Sequence, residues 1–304
     1  MRGTPLSRCV GARDGDRGRR PARPGAAGQA FPRDLAMRRS LTAAALVAAL
    51  AAPAAAQVIS AEKGKKLIEQ CLAALGGTAF LKMRDRVQFG RAYQFSRERL
   101  RGLAVMTVFT KYDFPPSPPI PGWIGVRERR EVGRDGDYGF LFADGKGYEI
   151  TFRGARPLPA DYMQQYHDRL RRDIFYVLKY RMEEPGMVFE SVGSEIIDNQ
   201  PVDAVRVTDG DNRSFTVHLL QSSRLPLRQQ YVRRDPKTRE TIREEANYTK
   251  YRNFGGVQLP LNVLQVRDDE KIFEMFSETI EINKGVDESV FSLKKGTKVL
   301  PEDK

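Results

Sequence analysis

Residues 241–282 read TIREEANYTKYRNFGGVQLPLNVLQVRDDEKIFEMFSETIEI. Three extended runs, 241–251, 257–267 and 271–282, alternate with two turn clusters, Gly255-Gly256 and Asp268-Asp269-Glu270. Connections this short join antiparallel neighbours, because parallel strands need a long crossover. The segment therefore predicts consecutive antiparallel strands.

The pattern continues toward the N-terminus. Strands are predicted at 187–192, 202–208, 214–220 and 227–233, with turns at Asp198-Asn199, Asp209-Gly210-Asp211-Asn212 and Asp235-Pro236. Earlier strands fall at 124–132, and at 137–143 and 147–153 around Asp144-Gly145. From Val87 to Phe95, Val87, Phe89, Tyr93 and Phe95 share one face, with Arg91 in phase. Gln88, Gly90, Ala92 and Gln94 share the other. Leu103 to Phe114 is apolar on both faces and needs cover on both. Phe114 to Trp123, FPPSPPIPGW, holds five prolines and the single tryptophan, so it reads as an extended loop.

Two segments have a helical period. In 61–75, Leu67, Ile68, Cys71, Leu72 and Leu75 form one stripe, ended by Gly76-Gly77. In 159–181, Tyr162, Tyr166, Leu170 and Ile174 recur every four residues, with Phe175, Val177 and Leu178 widening the apolar face. Ten to twelve strands with two helical segments make an α+β, mainly antiparallel chain. So many strands imply a barrel or strongly curved sheet.

Residues 37–56, MRRSLTAAALVAALAAPAAA, have the charged start, apolar run and small-residue box of a secretory signal peptide. Cleavage is expected near Ala56, leaving residues 57–304 as a single domain, most simply in the periplasm. Residues 1–36 are rich in Arg, Gly, Pro and Ala. They read either as a mis-called start ahead of Met37 or as a disordered extension. Ten arginines and three aspartates in residues 1–56 account for seven of the twelve net positive charges. The remaining +5 is too mild to argue for a nucleic-acid partner. Cys71 is left without a partner for an intrachain disulfide, and no segment reads as a stable membrane span.

No catalytic or metal constellation emerges. His167 and His218 lack a metal partner at i+4 or a nearby Cys, and both read as surface or half-buried residues. There is no nucleophile elbow and no phosphate loop. Asp209-x-Asp211 begins like a calcium loop, but Arg213 stands where a third acidic ligand belongs, so a turn is expected. Glu183-Glu184 and Asp268-Asp269-Glu270 read as solvated turn charge. Arg97–Arg101 and Arg127–Glu131, with interspersed glutamates, read as solvated strand faces and hairpin ends. A weaker alternative is contact with anionic lipid head groups. No catalytic residue, metal or cofactor is expected.

Three blocks together resemble a known family. They are the helix ending in Ala-Ala-Leu-Gly-Gly (73–77) with the strand VQFGRAYQF (87–95), the amphipathic helix after Arg-Pro-Leu-Pro (156–159), and the run from Tyr248 to Ser292. The last runs strand, Gly-Gly-Val-x-Leu-Pro, strand, turn, strand and a closing Asp-Glu-Ser-Val-Phe. This is similar to the outer membrane lipoprotein-sorting proteins, the LolA/LolB/LppX-like carrier and receptor superfamily, over residues 61–292. The resemblance implies an unclosed β-barrel around an apolar cavity with a helical plug or lid. It also implies a non-enzymatic protein that binds lipid or lipoprotein acyl chains and meets inner- or outer-membrane components. The alternative is an envelope sensor or regulatory module of the same fold.

On this reading Phe89, Tyr93 and Phe95, with Tyr162, Tyr166 and Leu170 of the lid helix, line or close the cavity. The resemblance gives Arg91 the family's lid-bonding arginine. The alternative is an arginine whose head reaches solvent. Phe114 and Trp123 either touch a membrane or partner, or anchor the Pro-rich loop through a buried Trp.

Overall fold

The computed structural model describes residues 60–114, 124–136, 138–235 and 238–302. All belong to the unit Ala51–Lys304. The signal stretch, residues 1–36, and the Pro-rich segment 115–123 with Trp123 lie outside the described residues.

Thirteen strands form one antiparallel sheet. In chain order they are β1 Asp85–Ser96, β2 Arg99–Tyr112, β3 Val126–Val132, β4 Tyr138–Ala143, β5 Lys146–Thr151, β6 Gly154–Pro157, β7 Val188–Ile197, β8 Gln200–Thr208, β9 Ser214–Leu220, β10 Pro226–Arg234, β11 Thr241–Phe254, β12 Val257–Arg267 and β13 Glu270–Ile282. The spatial order is β6-β5-β4-β3-β2-β1-β13-β12-β11-β10-β9-β8-β7. Consecutive strands pair within β1–β6 and within β7–β13, and β1 with β13 joins the two halves. The edges β6 and β7 do not pair, so this is an open, curled barrel. β6 was not anticipated; it is four residues long and lacks any alternation.

Five hairpins turn on two successive left-handed residues, the geometry whose twist matches the strands. Asp144-Gly145, Asp198-Asn199, Gly255-Gly256 and Asp268-Asp269 are four of them. The fifth is Arg97-Glu98, with φ of 49° and 58°. Two bulky residues there store backbone strain.

The first helix, α1, covers residues 60–74. It ends in a Schellman motif: the Gly77 amide donates to Leu72 O (2.8 Å) and the Gly76 amide to Ala73 O (3.0 Å). Both glycines have positive φ, the conformation the motif requires. Its stripe of Leu67, Ile68, Cys71 and Leu75 is buried. Next comes a single turn, α2 (Thr78–Leu81), which buries Phe80. Burial pushes the Cys71 thiol well above its usual range.

The second helical segment is not continuous. Helix α3 (Ala160–Arg171) stops, and Asp173 caps a new turn, α4 (Ile174–Tyr176), by accepting from the Tyr176 amide at 3.0 Å. A π-helical turn, Val177–Arg181, follows. The break arises because a capping carboxylate competes with the helix for backbone N–H groups. Ile174, Val177 and Leu178 join α1 in the main core, against Phe189, Val205, Val217, Tyr248, Leu259 and Ile280 of the sheet. The helices thus fill the concave side of β7–β13.

The C-terminal segment packs on the convex side of β3 and β4 and then pairs along the edge of β6. A 3₁₀ turn, Glu288–Phe291, buries Phe291. Arg129 donates to Val290 O at 3.3 Å, and the Arg127 guanidinium lies 5.5 Å over the Phe291 ring. Leu300 N donates to Ala155 O. The charges of 127–131 are therefore not a solvated face. Arg127 pairs with Asp113 and Glu288, Arg129 with Glu131, and Arg130 with Glu128.

Candidate functional site: the concave face and its helix

Strand β1 shows which face is which. Gln88 pairs in register with Ile280, a member of the helix-packed core. Gln88, Gly90 and Ala92 are buried on that side. Gln88 Nε2 donates to Ser277 Oγ at 2.5 Å. A Cβ on Gly90 would fall well inside contact with the Phe276 carbonyl, at the bulge between Phe89 and Gly90. The concave row of β1 is small and polar because the neighbouring backbone presses close to it.

Phe89, Arg91, Tyr93 and Phe95 do share one face, but it is the convex one. Phe89 is 39% exposed, and Leu103 and Leu100, the β2 partners of Tyr93 and Phe95, are 58% and 54% exposed. Arg91 Nε pairs with Glu278 Oε1 at 2.9 Å, and its side chain is 59% exposed. These four residues are therefore not brought to Tyr162, Tyr166 and Leu170, and Arg91 reaches solvent rather than the helix. Alternation along the strand separated the two faces correctly; their sense is set by the β1–β13 register, which a local reading does not contain.

Helix α3 lies against the opposite face. Tyr166 is buried and stacks on Phe142, rings 4.0 Å apart and 7° from parallel. Tyr162 is 39% exposed and Leu170 is half-buried. A cavity of about 400 Å³ opens beside Tyr166, lined by Met163, His167, Val126, Phe142 and Lys146 among others; Tyr162 and Leu170 are not in its lining. Desolvation and the nearby Arg171 push the His167 imidazole below its usual range. Phe114, at the end of β2, is 57% exposed, with the Arg84 guanidinium 5.3 Å from its ring.

Beyond the reach of the helical core, the concave face stays apolar. Register carries Met106, Val108 and Phe140 onto the side of Ala92 and Met275, with Val263 on the same side at the margin of the helical core. All four remain half-buried.

One row of this face is polar. Arg86, Thr110, Glu128 and Phe142 are cross-strand partners in β1, β2, β3 and β4. In the next row Arg130 pairs with Glu128 at 2.5 Å and lies 5.4 Å over Phe142. The α3–α4 break sits over these rows. Burial pushes the Asp173 carboxyl up, opposed by the Tyr176 amide and Arg86. Arg172 reaches across to lie 5.1 Å over the Tyr231 ring of β10. Arg86 and Thr110 were not among the expected site residues. Arg86 is in phase with Gln88, on the face of β1 that looked polar, and Thr110 is in phase with Met106 and Val108, on a strand that read as apolar on both faces.

Among the described residues no cluster of three metal-ligating side chains occurs, and no helix is long and apolar enough to cross a membrane. Asp209 is a turn anchor: Oδ1 accepts from the Asp211 and Arg213 amides. Its Oδ2 accepts from Arg181. Glu184 also pairs with Arg181 instead of standing free. His218 is 3% exposed, more buried than expected, with Nε2 2.9 Å from Glu195.

No family model matches the chain, and no curated protein does. Solved structures do. A DUF1329 family protein from Desulfovibrio piger aligns with a TM-score of 0.52 at 10% identity, covering 77% of this chain and 97% of that one. A domain assigned as an outer membrane lipoprotein-sorting protein, from Vibrio parahaemolyticus, aligns with a TM-score of 0.50 at 13% identity, covering 76% and 97%. The chain has the fold of the outer membrane lipoprotein-sorting proteins, as its sequence resemblance implied.

Proposed function

We propose that this protein is an exported, non-enzymatic carrier that holds the acyl chains of a lipid or lipoprotein between its concave sheet face and helix α3. The carrying observation is the apolar, half-buried surface of Met106, Val108 and Phe140, inside a sheet whose edges do not meet. Burying eight methylenes there is worth about 6 kcal/mol, enough to bind without a covalent step. Tyr162, Tyr166 and Leu170 form the cover. The signal stretch supports delivery to the periplasm.

The test is native mass spectrometry of the protein recovered from a periplasm, with organic extraction of bound material. A co-purifying lipid or acyl-peptide mass is expected. Val108→Asp should abolish it in a folded protein, while Phe89→Asp, on the convex face, should not. An apo mass with no uptake from added lipids would overturn the reading.

A second reading, an envelope sensor that docks a partner, is favoured by the exposed convex surface of Phe89, Leu100 and Leu103. It expects Phe89→Asp to abolish partner binding and leave lipid content unchanged.

A further inference from the structure

Four buried polar atoms around the α3–α4 break have no hydrogen-bond partner: Arg86 Nε, Thr110 Oγ1, Tyr166 OH and Arg172 Nε. A buried polar atom left unpaired is costly, so four gathered in one region call for a common partner. Thr110 is 2% exposed and Tyr166 is 6% exposed. Arg86 and Thr110 are cross-strand neighbours, and Tyr166 stacks on Phe142, in the same row.

The charge around them is unbalanced. The Arg86 and Arg169 charges reach Asp173, while Glu128, Arg130 and Arg169 act on Tyr166. Glu244, Arg169, Arg172 and Arg233 act on Tyr231. These interactions bring three carboxylates, Glu128, Asp173 and Glu244, against five guanidiniums, Arg86, Arg130, Arg169, Arg172 and Arg233; Glu128 already pairs with Arg130 and Glu244 with Arg233. A partner that accepts hydrogen bonds and carries negative charge fits such a set. Burial also raises the Tyr112 and Tyr166 hydroxyls, keeping them protonated as donors.

The polar row borders the apolar face directly. Val108 and Phe140 are the cross-strand partners of Arg130, and Met106 lies one row further along β2. Thr110 to Met106 spans roughly 13 Å of extended strand. A charged head at the break and a hydrocarbon chain along that strand suit one molecule.

We infer that the concave face takes an anionic amphiphile, its carboxylate or phosphate head held by Arg86, Thr110, Tyr166 and Arg172 and its chain lying on Val108 and Met106. The inference rests on the carrier reading and names the class of its cargo.

Delipidated protein is titrated with palmitate, with hexadecanol, and with inorganic phosphate. Palmitate should bind at least about tenfold more tightly than hexadecanol, the size of a charge-assisted hydrogen-bond contribution. Phosphate alone should bind far more weakly than palmitate. Arg86→Gln and Thr110→Val should each weaken palmitate and leave hexadecanol unchanged. Thr110→Val should also raise the Tm of the ligand-free protein, since it removes an unpaired buried hydroxyl, and that rise shows the variant folds.

Equal affinity for palmitate and hexadecanol overturns the head-group site and leaves the carrier reading standing. The same holds if the variants weaken both ligands alike. Phosphate binding as tightly as palmitate marks a free-anion site and overturns the amphiphile. If neither chain binds, the carrier reading fails and this inference fails with it.

Discussion

Asp209→Asn offers a measurement of how the helical segment is held to the sheet. Arg181 and Asp209 are both 5% exposed at the side chain, with Nη2 to Oδ2 at 3.0 Å. Arg181 also donates through Nη1 to Arg171 O at 2.7 Å, so it ties α3, the π turn and the β8–β9 turn together. Asparagine keeps an oxygen for the Asp211 and Arg213 amides, which isolates the loss to the charge facing Arg181. Removing one partner of a buried pair costs about 3–5 kcal/mol. In a domain of this size that lowers Tm by roughly 6–20 °C. Glu184→Gln is the internal control. Its side chain is 38% exposed, so its loss should stay below about 1 kcal/mol. The Asp209 carboxyl is held below its usual range by the Arg213 amide and Arg181, against burial. Its stabilisation is therefore present above the unfolded carboxylate value and is lost as pH falls through the folded one. Urea unfolding should show a constant gap between wild type and Asp209→Asn from pH 8 to 5, narrowing below about pH 4. A gap under about 1 kcal/mol at pH 7 would refute the buried-pair reasoning.

Three further outcomes are expected. Native Cys71 should resist a thiol reagent at pH 8 and react only once urea is added, because burial raises its thiol; fast labelling of the folded protein would contradict the packing of α1. Gly90→Val should destabilise by at least about 2 kcal/mol in urea, because its side chain has no room at the Phe276 carbonyl; an unchanged midpoint would mean the bulge is misplaced. His218 titrates below its usual range through desolvation, so below about pH 6.5 the unfolded chain takes up a proton that the folded one resists. Stability should fall with acidification there, and His218→Gln should flatten that limb; equal slopes would show that the imidazole is not desolvated.

The fold was legible where local chemistry decides it. The Gly76-Gly77 stop, the paired left-handed turns and the strands from Thr241 to Ile282 depend on residues close in sequence. The antiparallel order followed from short connections. What stayed hidden depends on distant partners. Phe89 and Tyr93 looked like cavity residues because an apolar strand face usually turns inward. In an open curled sheet both faces are partly wet, and here the inner row of β1 is reduced to Gln88, Gly90 and Ala92 by the close approach of β13. Arg130 looked solvated because its neutraliser, Glu128, lies on the same strand and its stacking partner, Phe142, lies on the next. The helix from 159 looked continuous because its apolar period persists through Asp173, whose capping role shows only in three dimensions.

The pairing of β1 with β13 also has a kinetic side. All other ladders join strands adjacent in the chain, so each half can form by zipping hairpins locally. Arg86 and Ile282, nearly two hundred residues apart, must find each other without such help. Closing a flexible loop of that length costs about 5 kcal/mol of chain entropy. Of the ladders between strands, this seam therefore carries the largest closure cost. Until it forms, both halves expose unpaired strand edges, at β1 and at β13.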